Sequence, residues 1–162
     1  MAATLVFIHG LESTSKGTKG QFFRQHFPEM IIEDYFGNFT ERMQKLSGLL
    51  AGKNNLVLVG SSYGGLMAAQ FTLLNENRVQ KMILLAPALN LPEFSPGAGQ
   101  QLHLPVTIYH GTNDDIVDPY AVKSIAEKVF CRLEHHLVCD GHPLSKTFPS
   151  LDWEKILGAV TK

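Results

Sequence analysis

Gly60-Ser61-Ser62-Tyr63-Gly64-Gly65 decides how this chain is read, because of what stands on either side of it. Before it runs Asn55-Leu-Val-Leu-Val59, a short apolar stretch of the kind that forms a strand covered on both faces. After it runs Leu66-Met-Ala-Ala-Gln-Phe-Thr-Leu-Leu74, rich in helix formers. A Gly-x-Ser-x-Gly pattern between a strand and a helix predicts a turn so sharp that the Ser62 side chain is pushed out at the carboxyl edge of the sheet. Glycine is required at 60 and 64 because a Cβ at either position would collide with a neighbouring strand or helix. Ser61 lacks a glycine two residues before it, so Ser62 is the candidate nucleophile.

Three more segments extend the pattern along the chain. Thr4-Leu-Val-Phe-Ile8 is a β-rich run that ends in His9-Gly10-Leu11, and Pro105-Val-Thr-Ile-Tyr109 is another that ends in His110-Gly111-Thr-Asn-Asp114-Asp115-Ile-Val117. Last comes Leu137-Val-Cys-Asp140-Gly141-His142. The order is a Gly loop, then Ser, then Asp, then His, each after a predicted strand. In these four motifs the chain resembles the α/β-hydrolase superfamily, and in particular its small single-domain bacterial esterases, over nearly its whole length.

That resemblance implies a fold and a chemistry. The fold is α/β: a mostly parallel, doubly wound sheet of about six strands with helices on both faces, residues 1–162 as a single domain, and no helical lid. The chemistry is acyl transfer by Ser62, His142 and Asp114. A serine hydroxyl is a poor nucleophile until a base accepts its proton, and His142 is the base the motif supplies. Asp114 would hold the imidazole in the correct tautomer and stabilise the imidazolium. By resemblance the oxyanion donors are the backbone N–H groups of Leu11 and Tyr63, the latter also at a helix N-terminus, where partial positive charge favours an anion. The expected activity is hydrolysis of a carboxylic ester with a small, accessible acyl group. A thioesterase or another acyl hydrolase would use the same residues, and a non-catalytic ligand-binding protein on the same fold is the rival from another class.

Neighbouring residues compete for these roles. Asp115 and Asp118 share the loop of Asp114, but His-Gly-x-x-Asp-x-x-Val matches Asp114 with Val117 as its apolar anchor, and Asp118 suits a cap for a helix opened by Pro119. Asp140 either orients His142 or starts the turn. His9 and His110 each precede a glycine at a strand end and read first as structural hydrogen-bonding groups. His9 and Glu12 also stand beside the oxyanion position, where they would border the substrate.

Length and composition agree with an enzyme of this kind. The chain has 162 residues, 44% of them hydrophobic, enough for one substantial core. A formal net charge of −1 gives no electrostatic footprint for nucleic acid or an anionic membrane. No apolar run approaches a membrane span and no secretory signal is visible, so the expected location is cytoplasmic. Cys131 and Cys139 flank a predicted strand about 26 Å long, too far to bridge each other, and free thiols fit a reducing compartment. The same distance argues against a metal site built from them with the nearby histidines. No cofactor is implied.

Strands are expected near 4–8, 31–35, 55–60, 81–86, 105–109 and 133–138. Helices are expected near 18–26, 40–51 with Thr40 as its cap, 119–130 and 150–161, the last presenting Trp153, Ile156, Leu157 and Val160. The segment from Pro87 to Leu104 holds Pro92, Pro96, Gly97 and Gly99 where larger relatives insert a lid. A shallow, open site follows, roofed at most by Leu89, Leu91 and Phe94. Gly10-Leu-Glu-Ser-Thr-Ser15-Lys16-Gly17 nearly matches a phosphate-binding loop, but Ser15 replaces a required glycine and Gly17 a required hydroxyl.

Overall fold

Alternate residues of the central strands enter two separate cores, as a sheet covered on both faces requires. Val6, Ile8, Leu58 and Leu84 point to one side, where they meet Leu46, Leu66 and Val122. Phe7, Val57, Val59 and Ile83 point to the other, where Phe23, Phe148 and Trp153 cover them. Each such side chain removed from water contributes about 1.5–3 kcal/mol. The second core is an aromatic cluster: Phe23 meets Trp153 and Phe148 edge-on, at 4.9 and 5.4 Å between ring centroids.

The computed structural model describes residues 2–158. Six strands, β1 (Thr4–Ile8), β2 (Ile31–Ile32), β3 (Leu56–Ser61), β4 (Val79–Leu85), β5 (Leu102–Gly111) and β6 (Phe130–Val138), form one sheet in the order β2-β1-β3-β4-β5-β6. Every neighbouring pair is parallel. Residues of α2 (Phe39–Leu49), α3 (Tyr63–Asn75) and α4 (Pro119–Val129) pack in the first core. Residues of α1 (Thr18–His26), α5 (Thr147–Ser150) and α6 (Trp153–Leu157) pack in the second. The expected doubly wound α/β architecture is what the chain adopts, and no helix occupies residues 86–101, where a lid would be inserted. Among the described residues, no helix is long and apolar enough to cross a membrane.

Several boundaries differ from expectation for local reasons. The strand expected over 31–35 pairs only at Ile31 and Ile32, because the chain then turns inward and the Tyr35 N–H is given to His9 Nε2 at 2.9 Å. Helix α2 is capped by Asn38, not Thr40: the Asn38 side chain accepts from Glu41 N at 2.9 Å, and Glu41 returns a bond to Asn38 N, a reciprocal box. The helix expected over 150–161 is two pieces. Pro149 lies within the short α5, while α6 opens on Asp152 and stops at Gly158, whose φ of +62° is left-handed. Val160, expected on that last face, lies outside the described residues.

Candidate active site

The strand order reverses direction between β1 and β3. The chain steps outward from β1 to β2, then crosses back to β3 and proceeds the other way. Loops leaving the carboxyl ends of strands at such a point diverge and leave a crevice. Gly10 follows β1 there and Ser62 follows β3. Ser62 has φ +56° and ψ −114°, a strained conformation that a non-glycine residue rarely holds. Closeness enforces it: a Cβ on Gly64 would run into the Ile8 carbonyl oxygen, so the elbow fits against β1 only with glycine.

Ser62, His142 and Asp114 form one hydrogen-bonded series, although 80 residues separate the first two and 28 the last two. Asp114 Oδ2 lies 2.7 Å from His142 Nδ1, and His142 Nε2 lies 3.0 Å from Ser62 Oγ. An ionised carboxylate only accepts, so Nδ1 carries the proton and Nε2 is free to accept from the serine hydroxyl. Burial pushes the Asp114 carboxyl up, but bonds from Val117 N–H, His142 and Ile116 N–H outweigh it and hold its pKa below the usual carboxylate value. Asp114 is therefore ionised at neutral pH.

His110 completes this carboxylate. Its side chain is fully buried, and its Nε2 lies 3.1 Å from both Asp114 Oδ2 and Val117 O. Both neighbours are acceptors, so the Nε2 proton is shared between them. Nδ1 has no partner among the described residues, and burial lowers the His110 pKa, so the ring is neutral. A histidine inside an apolar strand, four residues before an expected buried acid, was the available signal for this contact.

The remaining candidate residues sort clearly. Asp140 touches the loop, not the imidazole: it accepts from Gly141 N at 2.8 Å, Lys146 N at 3.0 Å and Thr147 N at 2.8 Å, folding the turn that carries His142. Asp118 caps α4 through Tyr120 N at 2.9 Å, and Asp115 is exposed. Gly10 lies against Ser62, since a Cβ there would sit 3.3 Å from Ser62 Cβ. Neither the Leu11 nor the Tyr63 N–H has an acceptor among the described residues. His9, expected beside the substrate, is instead buried: Nε2 accepts from Tyr35 N–H, which puts the proton on Nδ1, 2.7 Å from Gly10 O. It anchors the Gly10 loop from behind.

The site is not shallow. A cavity of about 750 Å³ opens over Ser62 and His142, within the ~300–1,000 Å³ range of small-molecule sites. Helix α1 and the segment after His142 wall it, through Phe22, Leu144 and Phe148. Leu91 and Glu12 line it as expected. Leu89 and Phe94 do not: both are buried in the first core. Among the described residues, no three His, Cys, Asp or Glu side chains converge to hold a metal ion.

The class shows in the architecture: the chain has the α/β-hydrolase fold. The family model described as serine aminopeptidase, S33 matches residues 24–102, the part that carries Ser62 but neither Asp114 nor His142. Among solved structures, mouse alpha/beta hydrolase domain-containing protein 10 superposes with a TM-score of 0.74 at 18% identity, covering 89% of this chain and 83% of that one. A CIB-like hydrolase from Thermoplasma acidophilum gives 0.74 at 22%, covering 95% and 83%. The esterase Pf2001 of Pyrococcus furiosus gives 0.72 at 16%, covering 96% and 80%. No curated protein matches the chain.

Proposed function

We propose that this protein is a serine hydrolase acting on carboxylic esters through an acyl-enzyme intermediate. The observation that carries the reading is the series Ser62 Oγ to His142 Nε2 at 3.0 Å and His142 Nδ1 to Asp114 Oδ2 at 2.7 Å, at the mouth of a cavity. Ser62 Oγ attacks the ester carbonyl while His142 Nε2 takes its proton. Asp114 holds the ring and stabilises the imidazolium. The N–H groups of Leu11 and Tyr63, without acceptors among the described residues, take the developing oxyanion. His142 then protonates the departing alcohol, and water repeats the sequence on the acyl-enzyme to release the acid and restore Ser62. The cavity volume admits acyl groups well beyond acetyl, so the preference is for small molecules in general, not the shortest esters. Thioesters fit the same mechanism. A cytoplasmic location is in keeping with two exposed, unbridged cysteines, Cys131 and Cys139.

The test needs no knowledge of the substrate. Intact mass after exposure to a fluorophosphonate should show one adduct on the wild type and none on Ser62→Ala. A folded wild type that never reacts would turn the reading toward a binding protein, and an adduct persisting in Ser62→Ala would move the nucleophile elsewhere.

A further inference from the structure

The cavity beside Ser62 is apolar along most of its wall, yet it holds one ammonium. Among its described lining residues Lys19 is the only lysine or arginine. It lies one helical turn before Phe22 on α1, so the two share a face, and both line the cavity. Lys19 Nζ donates to Pro143 O at 2.7 Å and sits 5.5 Å from the centroid of the Phe148 ring, and both of these residues are wall residues. The ammonium thus sits between two residues of the wall.

Its donors are mostly unspent. An ammonium has three N–H groups, and one is given to Pro143 O. Among the described residues no carboxylate lies within ion-pairing distance of Lys19. Asp140 acts on it only at longer range, and its oxygens accept from the backbone N–H groups of Gly141, Lys146 and Thr147. Glu12, also on the cavity wall, is exposed on the turn after β1 and forms no pair with it. Burial draws the Lys19 pKa down, and the more distant charge of Asp140 only partly offsets it.

We propose that Lys19 makes this cavity selective for esters that carry a carboxylate remote from the scissile bond. The inference rests on the hydrolase reading and deepens it. A substrate filling the cavity displaces water from the ammonium. A plain alkyl chain there would leave two N–H donors and a charge unpaired against Phe22 and Phe148, which is costly. A carboxylate oxygen accepts those donors, and charge-assisted bonds of this kind are roughly twice as strong as neutral ones. The pocket thus favours the anionic ester and rejects the neutral one by the same group.

Lys19 also tethers Pro143, next to His142, and a tether alone would affect every ester alike. The experiment therefore reads a ratio. kcat/KM is measured for monomethyl succinate, glutarate and adipate against methyl butanoate, pentanoate and hexanoate. A second series places the carboxylate on the alcohol side, as O-acetyl hydroxy acids against neutral acetates of equal length. The expected result is a preference for the anionic member of about tenfold or more in one series. Lys19→Met should bring that ratio close to one and Lys19→Arg should retain it. No preference in either series, or a preference surviving Lys19→Met, overturns the proposal, as does a uniform fall in all rates with the ratio unchanged. Fluorophosphonate labelling separates this from failure of the hydrolase reading. A wild type that labels but does not discriminate loses only the Lys19 proposal. If no ester is turned over, calorimetry of the same monomethyl dicarboxylates on Ser62→Ala decides. Binding abolished by adding Lys19→Met upholds the anion site, and binding that is absent or indifferent to Lys19 rejects it.

Discussion

Asp114→Asn is the substitution whose outcome the structure specifies most fully. Asp114 Oδ1 accepts from Ile116 N at 2.9 Å and Val117 N at 2.8 Å, while Oδ2 faces the two histidines. An asparagine must keep its carbonyl oxygen at the Oδ1 position. The reverse setting would aim its NH2 at two backbone donors, leaving two buried N–H groups unsatisfied at about 1–3 kcal/mol each. The NH2 is thereby forced toward His142 and donates to Nδ1. The imidazole proton moves to Nε2, which then faces Ser62 as a donor and cannot accept the hydroxyl proton. In serine proteases this wrong tautomer costs about 10⁴-fold in turnover, equivalent to about 5.5 kcal/mol. Fold loss is not the cause, because the loop bonds to Oδ1 survive. Losing the charged bond costs about 1.5–3 kcal/mol, or roughly 3–12 °C in Tm for a chain of this size. Ester hydrolysis and the rate of fluorophosphonate labelling should fall together, on a variant whose circular dichroism is that of the wild type. A folded Asp114→Asn variant within tenfold of wild-type activity would refute the tautomer argument and the role of Asp114 with it.

Two further substitutions test the supports behind that series. His110→Leu removes the shared Nε2 donor from Asp114 Oδ2 and Val117 O, and should lower kcat more than it changes KM while reducing Tm by about 3–12 °C; His110→Gln, which still offers an N–H, should recover most of both, and equal losses in the two variants would count against a donor role. For Asp140, burial pushes the carboxyl up, yet bonds from Thr147, Gly141 and Lys146 N–H hold its pKa below the usual value. A carboxyl depressed in the folded state contributes stability that is present above the unfolded value of about 3.9 and lost as pH falls through the lower folded value. The gap in Tm between wild type and Asp140→Asn should therefore be widest near neutral pH and close below about pH 4; a gap constant across that range would show that the charge contributes nothing.

What was legible in the sequence was local. Gly60 encodes the elbow because the collision it avoids, with the Gly64 carbonyl, lies within one turn, and Asp118 with Pro119 encodes the start of α4 through bonds to that helix's own first turn. Asn38 was equally local but was masked by Thr40, which has the same capping chemistry two residues later. What was not legible depends on partners far along the chain. The strand after Met30 ends early because Tyr35 N–H finds His9, 26 residues before it. The cavity exists because Lys19 and Phe22 meet the segment after His142, with 124 residues between Lys19 and Pro143. Leu89 and Phe94 read as a roof from their place after β4, yet the first core offers them more complete burial than the cavity mouth does.

Those distant contacts share one arrangement. Three loops that carry groups of the proposed mechanism are each tied down by a buried polar side chain that does not itself react. His9 binds Gly10 O and Tyr35 N behind the oxyanion loop, His110 binds Asp114 and Val117 behind the acid, and Asp140 gathers three N–H groups behind His142. The Asp and His loops are further joined by Asn113 N to Asp140 O at 3.1 Å. A parallel sheet fixes where its strands end but leaves the loops beyond them free, so geometry held within a few tenths of an ångström must come from such ties. They use buried polar groups that are costly to leave unpaired, which makes each loop adopt one conformation or lose several bonds at once. Positioning in this small chain is thus a property of its loops' interiors, and the cavity is left open for substrate because no lid is needed to assemble the site.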